Sequence, residues 1–224
     1  NEQMIKRCDL FRNDSVHGAY KADIDLNLKE KCLTVNGQRI YFIEGKNHSE
    51  INYNKYGIND ALLIDNSGAF TDKDSLSNHL ESTGISKVLL TAPGKGIPNI
   101  VYGINSKELD IENSKIVSAA SCTTNCIAPI LHVIESEYGI SSGHLETVHS
   151  YTNDQNLIDN MHKKARRGRS AAINMVITTT GAGKAVTKVI PSLEGKLTAN
   201  AVRVPTPNVS LAILKLKLKK KTSV

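Results

Sequence analysis

The stretch Lys115-Ile116-Val117-Ser118-Ala119-Ala120-Ser121-Cys122-Thr123-Thr124-Asn125-Cys126 decides how this chain of 224 residues is read. Its first half is a short apolar run of the kind buried inside a parallel sheet. Beyond it, Ile127, Ile130, Leu131, Ile134 and Tyr138 recur at i, i+3, i+4, i+7 and i+11, the period of an amphipathic helix. The junction sets Cys122 at a helix start, where free amides and the positive end of the dipole stabilise a thiolate. Pro129 reads as lying near the first turn, where a missing amide hydrogen costs little. His149, 27 residues downstream, is the candidate base.

Upstream of this junction, Ala61–Ile64, Lys87–Ala92 and Ile116–Ala119 read as short strands of a parallel sheet. Asp72 opens a short helix ending near Gly84. Asn36-Gly37 is a hairpin turn joining Lys31–Val35 to Arg39–Ile43. Downstream, the order is a strand through Glu146–His149, an irregular segment from Tyr151 to Arg169, and a strand at Ala172–Thr178. A helix from Gly183 to Val189 and strands near Ala201–Val204 and Val209–Leu218 follow.

On residue types alone, Cys122 and His149 read equally as packed core residues, and Thr178 to Gly181 as an ordinary helix cap. Sequence order gives more. Ala-Ser-Cys-Thr-Thr-Asn-Cys followed by Val148-His149-Ser150-Tyr151-Thr152 resembles the phosphorylating glyceraldehyde-3-phosphate dehydrogenases. The likeness extends through Arg166-Arg167-Gly168-Arg169, Thr180-Gly181-Ala182 and Arg203-Val204-Pro205-Thr206-Pro207-Asn208. It reaches back through Thr91-Ala92-Pro93 and Ser67-Gly68-Ala69-Phe70-Thr71 to Asp14-Ser15-Val16-His17-Gly18.

That resemblance implies an α/β chain: an incomplete Rossmann-type dinucleotide-binding domain over 1–120, then an incomplete α+β catalytic domain with a mixed sheet over 121–224. No G-x-G-x-x-G follows an initial strand, so the chain reads as an internal piece of a longer protein, expected to be inactive alone. The implied reaction is NAD-dependent phosphorylating oxidation of glyceraldehyde 3-phosphate through a cysteine thioester, in glycolysis; NADP and erythrose 4-phosphate stay open. Cys122 is the implied nucleophile and His149 its base. Thr152 and Arg203 hold the substrate phosphate, while Ser121, Thr123, Thr180 and Gly181 line the inorganic phosphate site, with Arg169 nearby. Ser67, Gly68 and Thr91 are implied cofactor contacts, and Cys126 a packed helix residue. The chain departs from the family pattern at Tyr53, where Trp is usual, at Asp65-Asn66 in place of Glu-Ser, and at Lys164, where an acid is common.

The net charge of +6 is local: residues 163–169 and 215–221 hold ten cations and no acid, leaving 18 basic against 22 acidic residues elsewhere. With aromatics at 4%, that pattern does not suggest a dedicated nucleic-acid surface. Four cysteines without a second C-x-x-x-C pair suggest neither a disulfide framework nor a metal site. No apolar run approaches the ~18–20 residues of a membrane span. These features suggest a cytoplasmic protein with no membrane partner, and the resemblance implies a homotetramer in its intact form.

Overall fold

In the computed structural model, which describes residues 1–45 and 47–223, packing divides the chain into two units, Asn1–Asn52 and Tyr53–Val224. The first holds α1 (Glu2–Arg12), the short hairpin β1 (Asn13–Asp14) and β2 (Gly18–Ala19), and an antiparallel meander. The meander runs through β3 (Ile24–Asn27), β4 (Cys32–Val35) and β5 (Gln38–Tyr41), with β4 in the centre. Asn36 and Gly37 both take positive φ, 48° and 81°, as the two-residue hairpin expected there requires. Lys31 also has a positive φ, 50°, which starts β4 one residue later than the apolar pattern suggested. Helix α1 escaped the sequence reading because it buries only Met4 and Cys8, and Cys8 packs on Leu33 and Val35.

The second unit begins with a parallel sheet of β6 (Ala61–Asp65), β7 (Ile85–Leu90) and β8 (Ile116–Ser118) in that spatial order. Leu76 of α2 (Lys73–Ser77) packs on Val88, Leu90 and Ile116 of this sheet. Asp72 caps α2, its carboxylate accepting from the Ser75 amide at 3.0 Å. The helix does not continue to Gly84; after Ser77 it tightens into a 3₁₀ turn over Asn78–Glu81. Strand β7 starts at Ile85 and stops at Leu90, where its partner β6 also ends at Asp65, whose carbonyl accepts from the Thr91 amide at 3.0 Å.

After β8 come α3 (Cys122–Tyr138), β9 (Ile140–Ser150), β10 (Val176–Thr179), α4 (Ala182–Val189), β11 (Leu197–Val204) and β12 (Ser210–Leu218). The strands form one mixed sheet, ordered β10-β11-β9-β12, in which only β11 and β9 run parallel. Strand β9 reaches back to Ile140, well before Glu146, because it is hydrogen-bonded on both sides. Strand β10 begins four residues later than the apolar run, since Asn174 donates its amide to the Ser170 carbonyl and closes a turn over 171–173. Helices α3 and α4 cover the inner face, where Ile127, Leu131, Ile140, Leu145, Val186 and Leu193 are almost fully buried. Each such side chain contributes about 1.5–3 kcal/mol relative to exposure.

Pro129 is a correction. It lies about two turns into α3, not near the first turn, so the Asn125 carbonyl loses its i+4 donor. Burial of Ile127, Ala128 and Leu131 around it offsets that loss. No helix among the described residues is long and apolar enough to cross a membrane.

Candidate active site

The chain turns sharply between β8 and α3. Ala120, buried, takes a positive φ of 58°, a conformation costly for an L side chain, and its amide donates to Ser118 Oγ at 3.0 Å. Ser121 then caps α3, its Oγ accepting from the Thr124 amide at 3.1 Å. The amides of Cys122 and Thr123, in the same first turn, have no partner within the helix. Cys122 is exposed at this first position.

His149, near the end of β9, places Nε2 3.9 Å from Cys122 Sγ. Its other ring nitrogen, Nδ1, lies 2.7 Å from the Ser150 carbonyl. A carbonyl only accepts, so Nδ1 carries the hydrogen and the neutral ring turns its Nε2 lone pair toward the thiol. Proton transfer from Sγ to Nε2 requires only a small closing movement.

Beside this pair is a cleft of about 310 Å³. Ser121, Cys122, Thr123, His149, Thr180, Gly181 and Arg203 all line it, so seven side chains or backbones chosen from sequence converge. Thr180 Oγ1 accepts from the Ala182 amide at 3.2 Å, and Gly181 caps the start of α4, whose Ala182 and Ala185 also line the cleft. Thr152 does not line the cleft and reaches it only through Arg203, its Oγ1 accepting from Arg203 Nη1 at 3.2 Å, while the same Nη1 donates to Ser150 O at 2.9 Å. Burial pushes the Arg203 guanidinium below its ordinary pKa, with the nearby Cys122 opposing.

Arg169 is not part of this constellation. It pairs with Asp159 at 2.7 Å and borders a separate groove with Arg166. Arg167, passed over in the sequence, is the arginine that lines the Cys122 cleft. It is buried and held by an ion pair to Asp154, by Thr178 Oγ1 at 3.2 Å and by the Thr179 carbonyl at 3.0 Å. Burial first, then the charge of Arg203, lowers its pKa. Sequence held no signal to choose between Arg167 and Arg169, which share one basic run.

Ser67, Gly68 and Thr91 meet elsewhere, at the carboxyl ends of β6 and β7, where open α/β sheets bind their ligands. Buried Asp65 organises them: Oδ1 accepts from Ser67 N at 2.8 Å and Ser67 Oγ at 2.7 Å, and its backbone carbonyl accepts from Thr91. Its Oδ2 pairs with buried His79 at 3.0 Å. Burial raises the Asp65 pKa, but these hydrogen bonds outweigh it and hold the carboxyl below the usual range. Gly68 has φ 74°, and a Cβ there would meet nothing within 4 Å. The edge is open at Gly68, while the Ser67 amide and the Ser67 and Thr91 hydroxyls are held by Asp65.

Two family models match the chain. One described as "Glyceraldehyde 3-phosphate dehydrogenase, NAD binding domain" matches residues 2–73, and one described as "Glyceraldehyde 3-phosphate dehydrogenase, C-terminal domain" matches 121–224. The chain belongs to the glyceraldehyde 3-phosphate dehydrogenase family. It is 55% identical over 221 residues to a glyceraldehyde-3-phosphate dehydrogenase-like protein of Pseudomonas aeruginosa (strain UCBPP-PA14), covering 98% of this chain and 48% of that protein. It is 44% identical over 211 residues to glyceraldehyde-3-phosphate dehydrogenase 2 of Bacillus subtilis (strain 168), covering 94% and 61% respectively. For the chloroplastic enzyme A of Zea mays the figures are 43% over 214 residues, 95% and 52%. The chain therefore spans about half to three fifths of the length of these curated relatives. The C-terminal domain match contains Cys122, His149, Arg167 and Arg203, the residues on which the cleft is built.

Proposed function

We propose that this chain carries the acyl-transfer site and part of the cofactor site of an NAD-dependent phosphorylating dehydrogenase of glyceraldehyde 3-phosphate, working in glycolysis. The observation that carries this reading is the approach of Cys122 Sγ to His149 Nε2 beside a cleft lined by two arginines. Residues 1–120 belong to dinucleotide binding and 121–224 to catalysis, a division that the ranges of the two family matches support.

In this mechanism His149 Nε2 takes the Cys122 proton and Sγ bonds to the aldehyde carbon as the carbonyl electron pair moves to oxygen. The proton then passes from Nε2 to that oxygen, which the free amides of Cys122 and Thr123 stabilise. Ser67, Gly68 and Thr91 would hold NAD, which when bound would supply the acceptor for the hydride that the carbon gives up. His149 recovers the hydroxyl proton, and the acyl group stays on Cys122 as a thioester. A phosphate oxygen then bonds to the acyl carbon, the C–S bond breaks, and its electron pair leaves with the thiolate, giving 1,3-bisphosphoglycerate. Arg203 and Thr152 hold the substrate phosphate. Ser121, Thr123, Thr180 and Gly181 hold the incoming one, with Arg167 in the place the sequence reading gave to Arg169.

Self-association, as a homotetramer, is part of the same reading. Ile177, Val202, Val148 and Leu211 are register partners across the mixed sheet, and Ile177 and Leu211 are well exposed. Leu157, Ile158, Met161, Ile173 and Met175 are exposed in the segment before β10, apolar side chains that a partner subunit could cover. Four free thiols suit the reducing cytoplasm.

Incubation of the active enzyme with glyceraldehyde 3-phosphate and NAD, without phosphate, tests the reading. One equivalent of NADH and an acyl group on Cys122, released by added phosphate, is the expected result. Steady turnover without phosphate, or acylation elsewhere, would overturn it.

A further inference from the structure

We propose that Lys164 is a third anion-binding cation of the Cys122 cleft and gives it a preference for doubly charged phosphate. The proposal rests on Cys122 being the reactive thiol, as argued above. It starts from the turn that follows the irregular segment. The Arg167 amide donates to the Lys164 carbonyl at 2.8 Å, closing a 3₁₀ turn over Ala165–Gly168 with Lys164 at its head. In such a turn residues i and i+3 lie on one side. Lys164 and Arg167 form one such pair, and both line the Cys122 cleft. Arg166 and Arg169 form the other, and both line the separate groove. One basic run is thus divided by its own geometry between two surfaces.

The charge balance inside the cleft makes the first pair consequential. Lys164, Arg167 and Arg203 all contribute to its wall, and no aspartate or glutamate does among the described residues. Arg167 is offset by Asp154, but neither Lys164 nor Arg203 makes an ion pair with a described carboxylate. The Nε of Arg203 is buried and has no hydrogen-bond partner among the described residues. Two uncompensated cations around a concave wall hold a field that an anion relieves, and the attraction doubles for a dianion over a monoanion. Lys164 is the exposed one of the set, on a flexible four-carbon stem, suited to follow a phosphate as it moves toward the acyl carbon.

The test uses residues 1–224 and reads the potential at Cys122 without dehydrogenase turnover. Alkylation of Cys122 is followed by peptide mass spectrometry with anionic iodoacetate and neutral iodoacetamide, with and without inorganic phosphate. Lys164→Gln is expected to lower the iodoacetate-to-iodoacetamide rate ratio about threefold, and Lys164→Glu about tenfold. The phosphate concentration giving half-protection should rise by similar factors. Lys164→Arg should keep both values, and Lys163→Gln, one residue away, should change neither. Lys164→Arg keeps the charge, so a ratio that falls in Lys164→Gln and not in Lys164→Arg isolates charge from a perturbed fold. An unchanged ratio and unchanged protection in Lys164→Gln, with Cys122 still alkylated, would overturn the role of Lys164 alone. A Cys122 that neither reagent modifies would overturn the reading of the thiol as well.

Discussion

His149 and Arg203 share one acceptor: the Ser150 carbonyl takes a hydrogen bond from His149 Nδ1 at 2.7 Å and from Arg203 Nη1 at 2.9 Å. The two residues are register partners on the parallel strands β9 and β11, so the sheet itself brings base and guanidinium together. A single backbone oxygen thereby fixes the tautomer of the base and the direction of the cation.

Replacing Arg203 therefore has two parts. Arg203→Leu removes a charge-assisted contact worth about 1.5–3 kcal/mol, or roughly 10- to 150-fold in catalytic efficiency for the phosphorylated aldehyde. Unphosphorylated glyceraldehyde should lose far less. Equal losses for both substrates, measured in steady state, would mean that the arginine acts only through Ser150 and His149.

Cys122→Ser should abolish acylation and the rapid phase of alkylation, while Cys126→Ser, one turn further along α3, should retain most of both. Mass spectrometry of the labelled peptide separates the two thiols. Equal loss in the two variants would remove the assignment of a single nucleophile.

Asp65 provides a pH signature. Its carboxyl pKa is held below the ordinary value by Ser67 and His79 despite burial, so the stability it contributes is full above the unfolded carboxyl pKa. That stability is lost as pH falls through the lower folded value. Asp65→Asn should cost about 1–3 kcal/mol near neutral pH, and the gap to the parent should narrow below about pH 4. Urea melts from pH 3 to 7 would measure this, and a gap independent of pH would contradict it.

Gly168→Ala tests the turn that aims Lys164 and Arg167. A Cβ at this position would collide with the backbone oxygen of Asn160, whose amide donates to the Gly168 carbonyl at 2.9 Å. Backbone cannot give way as a side chain can, so we expect a loss of about 1–3 kcal/mol in stability. Phosphate protection of Cys122 should weaken with it. Wild-type protection in this variant would show that the turn tolerates displacement.

What the sequence determined by itself is local in origin. The period of Ile127, Leu131 and Ile134 and the serine before Cys122 define a helix start with a thiol on it, since both depend on residues a turn apart. Asn36-Gly37 defined a hairpin for the same reason. The residues of the cleft were legible through a motif order that ties Cys122, His149, Thr180 and Arg203 to one chemistry. Tertiary structure decided what depends on partners far along the chain. Strand β9 gained six residues ahead of Glu146 through its neighbours β11 and β12, and Pro129 was carried inside α3 by the packing around it. The choice between Arg167 and Arg169 could not be made from composition, because both are arginines in one basic run. It was made by the phase of a 3₁₀ turn and by Asp154, which holds one guanidinium toward the cleft while Asp159 holds the other away.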